Sequence, residues 1–255
     1  MNDNLLLNGD FEVDWSEERS HRCLIFGTDG SVEDTVRGNI FTPAHWITWF
    51  LHGLPVEHDP QNSVGWAQPE VRDAWDQNDP EHGGYGGPNR AHEGRKGQLY
   101  FTFYRIHDGG FLQQVQVTPG SQLRLSAWAH AWSNADSGPN KDKPAWSEGE
   151  NVGFNHFFAL EGEIEDASAR NFTFFVGIDP TGGTNPYADS VIWGDGAHIY
   201  NTYHQVPAAE ATAQAGVVTV FLRSRVLWPF KHCDAYWDGV ILEVVGQGEP
   251  PEEPP

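Results

Sequence analysis

Between Gln122 and Trp132 the chain reads QLRLSAWAHAW, and its apolar residues recur at every second position. Leu123, Leu125, Ala127 and Ala129 fall on one side of an extended chain. Arg124, Ser126, Trp128, His130 and Trp132 fall on the other. A period of two fits a β-strand with one buried face; a helix would repeat at three and four. The small side is expected to pack against a second layer, and the amphipathic side to form an outer surface.

The same pattern recurs along the chain. Further strands are predicted at Asn4–Leu7, Gln98–Ile106, Phe111–Val117, Val152–Glu161, Arg170–Ile178, Val217–Arg225 and Tyr236–Val245. Val117-Thr118-Pro119-Gly120-Ser121 places Pro and Gly at turn positions, so Phe111–Trp132 reads as a hairpin. The Ala-rich run Ala208–Ala215 reads as the one short helix, ended by Gly216. Near the start, LLLNGDFE couples a short apolar run to Asn8-Gly9, a pair suited to positive φ, with Phe11 expected to point inward. Ser16–Arg95, Ser133–Gly149 and Asp179–Ala197 carry little strand signal, and loops that long are usually functional. These features predict an all-β fold: an antiparallel β-sandwich of jelly-roll type with long irregular loops, spanning residues 1–245. The Pro/Glu-rich tail 246–255, GQGEPPEEPP, is read as a linker toward further domains.

Thirty-six acidic residues against 15 Lys and Arg give a formal charge of -21, which repels phosphate backbones and argues against a nucleic-acid partner. The same charge suits hard cations and neutral ligands such as sugars. No apolar run approaches the roughly 18 residues of a membrane span, and no basic, apolar leader opens the chain. Cys23 and Cys233 are the only cysteines, so a thiolate zinc site is excluded; one bridge or two buried thiols both fit.

Eleven Trp residues are more than one core needs, which directs attention to an aromatic cleft. Trp128, His130 and Trp132 are the first candidates, with Arg124 and Tyr104 to reach ligand hydroxyls. Tyr100, Thr102 and Tyr104 form a similar face on an earlier strand. The loop aromatics Trp49, Trp66, Trp75 and Trp146 are the alternative lining. His45, His52 and His58 are too loosely spaced for a zinc motif and read as loop histidines. Glu57, Glu70, Glu93, Glu148 and Glu161 border the long segments, but 36 acids make some close pair inevitable, so no catalytic residue is assigned. No G-x-S-x-G and no P-loop lysine occur.

Three stretches resemble jelly-roll carbohydrate-binding modules of the galactose-binding-like superfamily: LLLNGDFE, GGFLQQVQVTPGSQLRLSAWAHAW and AYWDGVILEVV, in that order from Asn4 to Val245. Two positions depart from the family pattern. Gly239 stands where a second Asp is usual, and Leu123 replaces an aromatic after the Pro-Gly turn. The resemblance implies a structural Ca²⁺ between Glu12 and Asp238, with Asp10 as a neighbour and backbone carbonyls completing the shell. It implies a non-catalytic module that binds carbohydrate by aromatic stacking, in an extracellular or cell-surface setting. A jelly-roll glycoside hydrolase or polysaccharide lyase is the first alternative. A surface or particle module for protein–protein contact is the second.

Overall fold

The computed structural model describes residues 4–13, 20–53, 68–83, 90–103, 105–134, 172–199, 202–226 and 232–247. The expected strand Val152–Glu161 lies outside these residues, as does most of the tail. Among the described residues every regular element is a strand: β1 (Arg22–Gly27), β2 (Val32–Val36), β3 (Ile47–His52), β4 (Glu70–Trp75), β5 (Lys96–Thr102), β6 (Asp108–Gln116), β7 (Ser121–Asn134), β8 (Phe172–Asp179), β9 (Ile192–Trp193), β10 (Ala197–His198), β11 (His204–Thr212), β12 (Val217–Val226) and β13 (His232–Gln247). They form a jelly-roll β-sandwich. One sheet of eight strands runs β10-β8-β12-β6-β3-β1-β2, with β9 paired to β8. The other, of five strands, runs β11-β7-β13-β5-β4. Pairing is antiparallel except between β1 and β3.

The core lies between the sheets and is built by complementary volume. Along β7, Leu123, Leu125, Ala127, Ala129 and Ala131 are completely buried. Opposite them β8 turns Phe172, Phe174, Val176 and Ile178 inward, and β12 adds Val218, Val220 and Leu222. Small residues on one sheet leave room for rings from the other. Phe174 meets the Trp237 ring of β13 edge-on across the interface, at 5.2 Å between centroids.

Several expectations are corrected. Phe111–Trp132 is not a hairpin: β6 pairs with β12 and β3, whereas β7 pairs with β13 and β11. The Pro119-Gly120 turn, with Gly120 at φ 85, carries the chain from one sheet to the other. Its Gly120 and Ser121 amides bond to Ala213 and Thr118 carbonyls. Ala208–Ala215 is no helix; most of it belongs to β11, along the edge of β7. Alanine tolerates both states, and the unpaired edge of β7 supplies the deciding hydrogen bonds. Residues 22–75, expected to lack strands, contain β1 to β4.

Asn4–Leu7 is not a regular strand, yet it lies beside β13 as expected. The Leu5 amide bonds to the Leu242 carbonyl, and the Asn4 side chain spans Val240 O and Leu242 N. Asn8 takes φ 53 and anchors the following turn, accepting from the Trp46 indole on its carbonyl and donating to Ala44 O. Phe11 is buried between Trp46 and Phe111. Cys23 and Cys233 are buried thiols and form no disulfide, and burial pushes Cys23 up to about 11.

This packing gives a test of register. Ala129→Leu should overfill the interface and cost roughly 1–3 kcal/mol, whereas Arg124→Leu on the opposite face should stay within about 0.5 kcal/mol. Urea midpoints for both variants measure the difference, and equal effects would contradict the assignment of faces.

Candidate functional site

Because side chains alternate on a strand, burying Ala127, Ala129 and Ala131 forces Trp128, His130 and Trp132 to the outer face of the five-stranded sheet. The β13 register sets Asp238 opposite Trp128, Tyr236 opposite His130 and Asp234 opposite Trp132. The β5 register then adds Leu99 beside Tyr236 and Phe101 beside Asp234. Two loop residues lie over this surface. The His92 imidazole stacks on Trp128 at 3.9 Å and 19°. Tyr203 lies 5.5 Å from His92 and 5.4 Å from His130, and its hydroxyl donates to Arg90 O at 2.7 Å. The Arg90 guanidinium stands over the Tyr236 ring at 5.9 Å. At the other end His232 bridges Trp132 and the half-exposed Phe103. The result is a nearly continuous band of rings from Trp128 to Phe103.

Trp128 and Trp132 are half-buried, so each offers part of its ring to solvent. Four residues along one strand separate them by about 13 Å. His130, between them, is buried, and neither ring nitrogen has a hydrogen-bond partner. Burial, with Arg90 nearby, lowers its pKa to about 3, so the ring is neutral and can donate through one nitrogen and accept through the other. The Tyr236 hydroxyl donates to Asp234 Oδ2 at 3.2 Å, while Oδ1 lacks a hydrogen bond and has only the His232 Nδ1 at 3.7 Å. Arg124 is exposed and pairs with Glu210 of β11 at 3.4 Å, away from the ring band.

The second expected face is corrected. Tyr100 and Thr102 are buried, and Tyr100 packs edge-on to Phe111 inside the core. Leu99 and Phe101 take the outer positions instead. Apolar residues occupy both faces of β5, so its sequence carries no alternation from which to read register. Tyr104 lies outside the described residues, as do His58, Trp66 and Trp146. Trp49 is fully buried in β3, and Trp75 stacks on His82 at 3.9 Å. Sequence reading missed His232, Asp234 and Tyr236, although their alternation in HCDAYWD could have shown them. His92 and Tyr203 come from loops and carried no signal.

At the Trp128 end, two carboxylates fasten one loop. Asp238 is fully buried and accepts the His92 and Glu93 amides on Oδ2, at 2.8 and 3.2 Å, and the Gly239 amide on Oδ1 at 2.7 Å. Glu12 Oε1 accepts the Arg95 and Lys96 amides at 2.6 and 3.0 Å. Residues 92–96 are thus held from both sides, which fixes His92 on Trp128. Asp10 is exposed, and its Oδ1 takes the Glu12 amide at 3.4 Å. Burial drives the Asp238 carboxyl up to about 7; its three amide partners oppose the shift and Glu93 adds to it. A cation would offset that penalty, and the Glu12 and Asp238 carboxylates, which fasten the same loop from two other segments, are oxygen donors of the kind Ca²⁺ takes. No group of three or more acidic, His or Cys side chains poised for a metal occurs among the described residues. Backbone carbonyls would therefore have to supply most of the shell.

No protein-family model and no curated protein matches the sequence. Among solved structures, the chain is similar to a family 61 carbohydrate-binding module in complex with β-1,4-galactotriose, with 11% identity, a TM-score of 0.45, and coverage of 95% of this chain and 99% of that one. It is similar to the enzymatically active domain of bacteriophage CBA120 tailspike protein 4, with 12% identity, a TM-score of 0.42, and coverage of 95% of this chain and 21% of that one. It is also similar to the family 22 xylan-binding domain of Paenibacillus barcinonensis Xyn10C, with 9% identity, a TM-score of 0.36, and coverage of 73% and 89%.

The buried carboxyl has a measurable signature. In chelator-treated protein, Asp238 should titrate near pH 7, about three units above an ordinary aspartate, as read by its side-chain ¹³C shift. Since the folded value lies above the unfolded one, this group's contribution to stability is fully present below about pH 4 and is lost as pH rises through about 7. An ordinary titration near pH 4 would contradict the burial.

Proposed function

We propose that the outer face of the five-stranded sheet binds a neutral oligo- or polysaccharide, and that the chain is a non-catalytic carbohydrate-binding module. The observation that carries this reading is the band of rings containing the partly exposed Trp128 and Trp132, with the unpartnered His130 nitrogens between them. Pyranose rings present apolar C–H faces that stack on aromatic rings and hydroxyls that need donors and acceptors. Two indoles about 13 Å apart on one strand suit an extended chain of several sugar units better than a single ring. A neutral polymer also suits a chain of net charge -21. Such a role fits an extracellular or cell-surface setting, where polysaccharide is met.

The geometry around Asp238 favours binding over hydrolysis. A carboxyl pushed up to about 7 has the pKa of a general acid. Its oxygens, however, are engaged by three backbone amides beneath the His92 loop, and the side chain is fully buried. It is placed to hold a loop rather than to reach a glycosidic oxygen.

We propose further that Ca²⁺ joins Glu12 and Asp238 and tightens the 92–96 loop. A cation bound only by the folded state, at a hundredfold excess over its Kd, stabilises by about 2.7 kcal/mol. EDTA should lower the melting temperature, and Asp238→Ala should abolish that response. An unchanged melt together with no calcium by elemental analysis would refute the site.

For the ligand, Trp128→Ala should weaken glycan binding about tenfold or more, equivalent to about 1.4 kcal/mol, with the thermal transition preserved. A glycan array identifies the polymer, and calorimetry on the variant measures the loss. Unchanged affinity in both Trp128→Ala and Trp132→Ala would place binding elsewhere.

A further inference from the structure

A cavity of about 360 Å³ opens on the opposite side of the molecule, at one end of the eight-stranded sheet. It lies between the β1–β2 turn, the end of β3 and the loop before β9. Phe26, Thr28, Ser31, Leu51, Asn185 and Tyr187 contribute to its wall. Among the described residues no charged side chain lines it, in a chain where 20% of residues are charged.

The walls are fixed by local bonding. In the β1–β2 turn, the Gly27 amide donates to Ser31 O at 2.8 Å and the Gly30 amide to Gly27 O at 2.9 Å. Asp29 Oδ1 accepts both the amide and the hydroxyl of Ser31, which engages this carboxylate within the turn. Gly30 sits at φ 84, where a residue with Cβ would be strained. Across the opening, Asn185 Oδ1 accepts the Tyr187 amide and Asn185 O accepts the Ala188 amide. The Tyr187 ring, 39% exposed, is braced edge-on by Phe26 at 6.0 Å and Trp49 at 6.1 Å, with the Arg223 guanidinium at 5.5 Å.

We infer that this pocket is a second ligand site, independent of the ring band, that takes one neutral pyranose ring. Its volume lies at the low end for small-molecule sites, which suits a single ring rather than a chain. A braced, part-exposed tyrosine offers a stacking surface at little entropic cost. The Ser31 and Thr28 hydroxyls and the Asn185 amide supply the donor and acceptor chemistry that sugar hydroxyls need. The absence of charge among the described lining residues disfavours a uronate, whose carboxylate would lose its hydration without gaining a cation there.

The test is an amide-resolved NMR titration of the full chain with the methyl glycosides of glucose, galactose, mannose and xylose, and with methyl glucuronoside as the charged control. At least one neutral glycoside should give saturable shifts at Gly27, Gly30, Ser31 and Tyr187, and the glucuronoside should give none. Tyr187→Ala should weaken that binding about tenfold or more, and Trp128→Ala should leave it unchanged. Tyr187 also packs on Phe26 and Trp49, so Ser31→Tyr, on an exposed turn, provides a variant that blocks the pocket without touching the core. The site is overturned if none of the four glycosides produces saturable shifts there. It is equally overturned if the shifts survive Ser31→Tyr, or if the glucuronoside binds as well as the neutral sugars.

Discussion

Asp238 has no exposure to solvent and ends the regular pairing of β13 with β7, where a bulge carrying Gly239 at φ 54 begins. A carboxylate in that position is costly unless its lone pairs are used. The loop at 92–96 uses them, and in doing so becomes part of the sheet's outer surface. Glu12 holds the far end of the same loop, while the N-terminal turn is itself tied to the bulge by the Val240 amide bonding to Gly9 O at 2.8 Å. Three segments distant in sequence are therefore closed around one buried acid. The His92 ring is carried onto Trp128 by that closure, so the shape of the proposed binding face depends on a group that does not line it.

The other determinant is volume. The long strand β7 presents alanine and leucine to the core, and β8 answers with phenylalanine. This match fixes how closely the sheets approach, and the fixed register leaves no choice about the opposite face. Trp128, His130 and Trp132 are outward because their neighbours are inward. A one-residue slip would bury two indoles against β8 and expose the alanines, exchanging the best packed face for the worst. Core and candidate site are thus two consequences of one alternation.

The two aromatic surfaces differ in how they are supported. On the five-stranded sheet the rings stand on three consecutive outward positions of β7 and on His232 and Tyr236 of β13, and loops add His92 and Tyr203. On the eight-stranded sheet, Phe26, Trp49, Trp193 and Phe221 are largely covered, and Arg223, paired to Asp108 at 2.5 Å, lies over the Phe175, Tyr187 and Trp193 rings. The first arrangement is a long band suited to a polymer. The second is a packed layer with a pocket at its end, which is why the two surfaces are assigned ligands of different length.

Where local pattern was strong, the sequence was sufficient. The alternation of β7, the inward Phe11, the positive φ of Asn8, the end-to-end approach of residues 4–7 to β13 and the all-β class could all be read from the residues. Each depends on side-chain periodicity or on a backbone preference, which are properties of the chain itself. The sequence did not decide which strands pair, because both β6 and β7 have good strand patterns and only the sandwich assigns them to different sheets. It did not decide the facing of β5, whose residues are apolar on both sides, or the fate of Ala208–Ala215, which alanine leaves open. It could not place His92, Tyr203 or Tyr187, since loop residues acquire their neighbours only when distant strands close. The chain therefore determined which residues could form strands and which way β7 faced, and the tertiary structure decided what stands beside them, because hydrogen-bond partners and buried charges are satisfied between segments far apart in sequence.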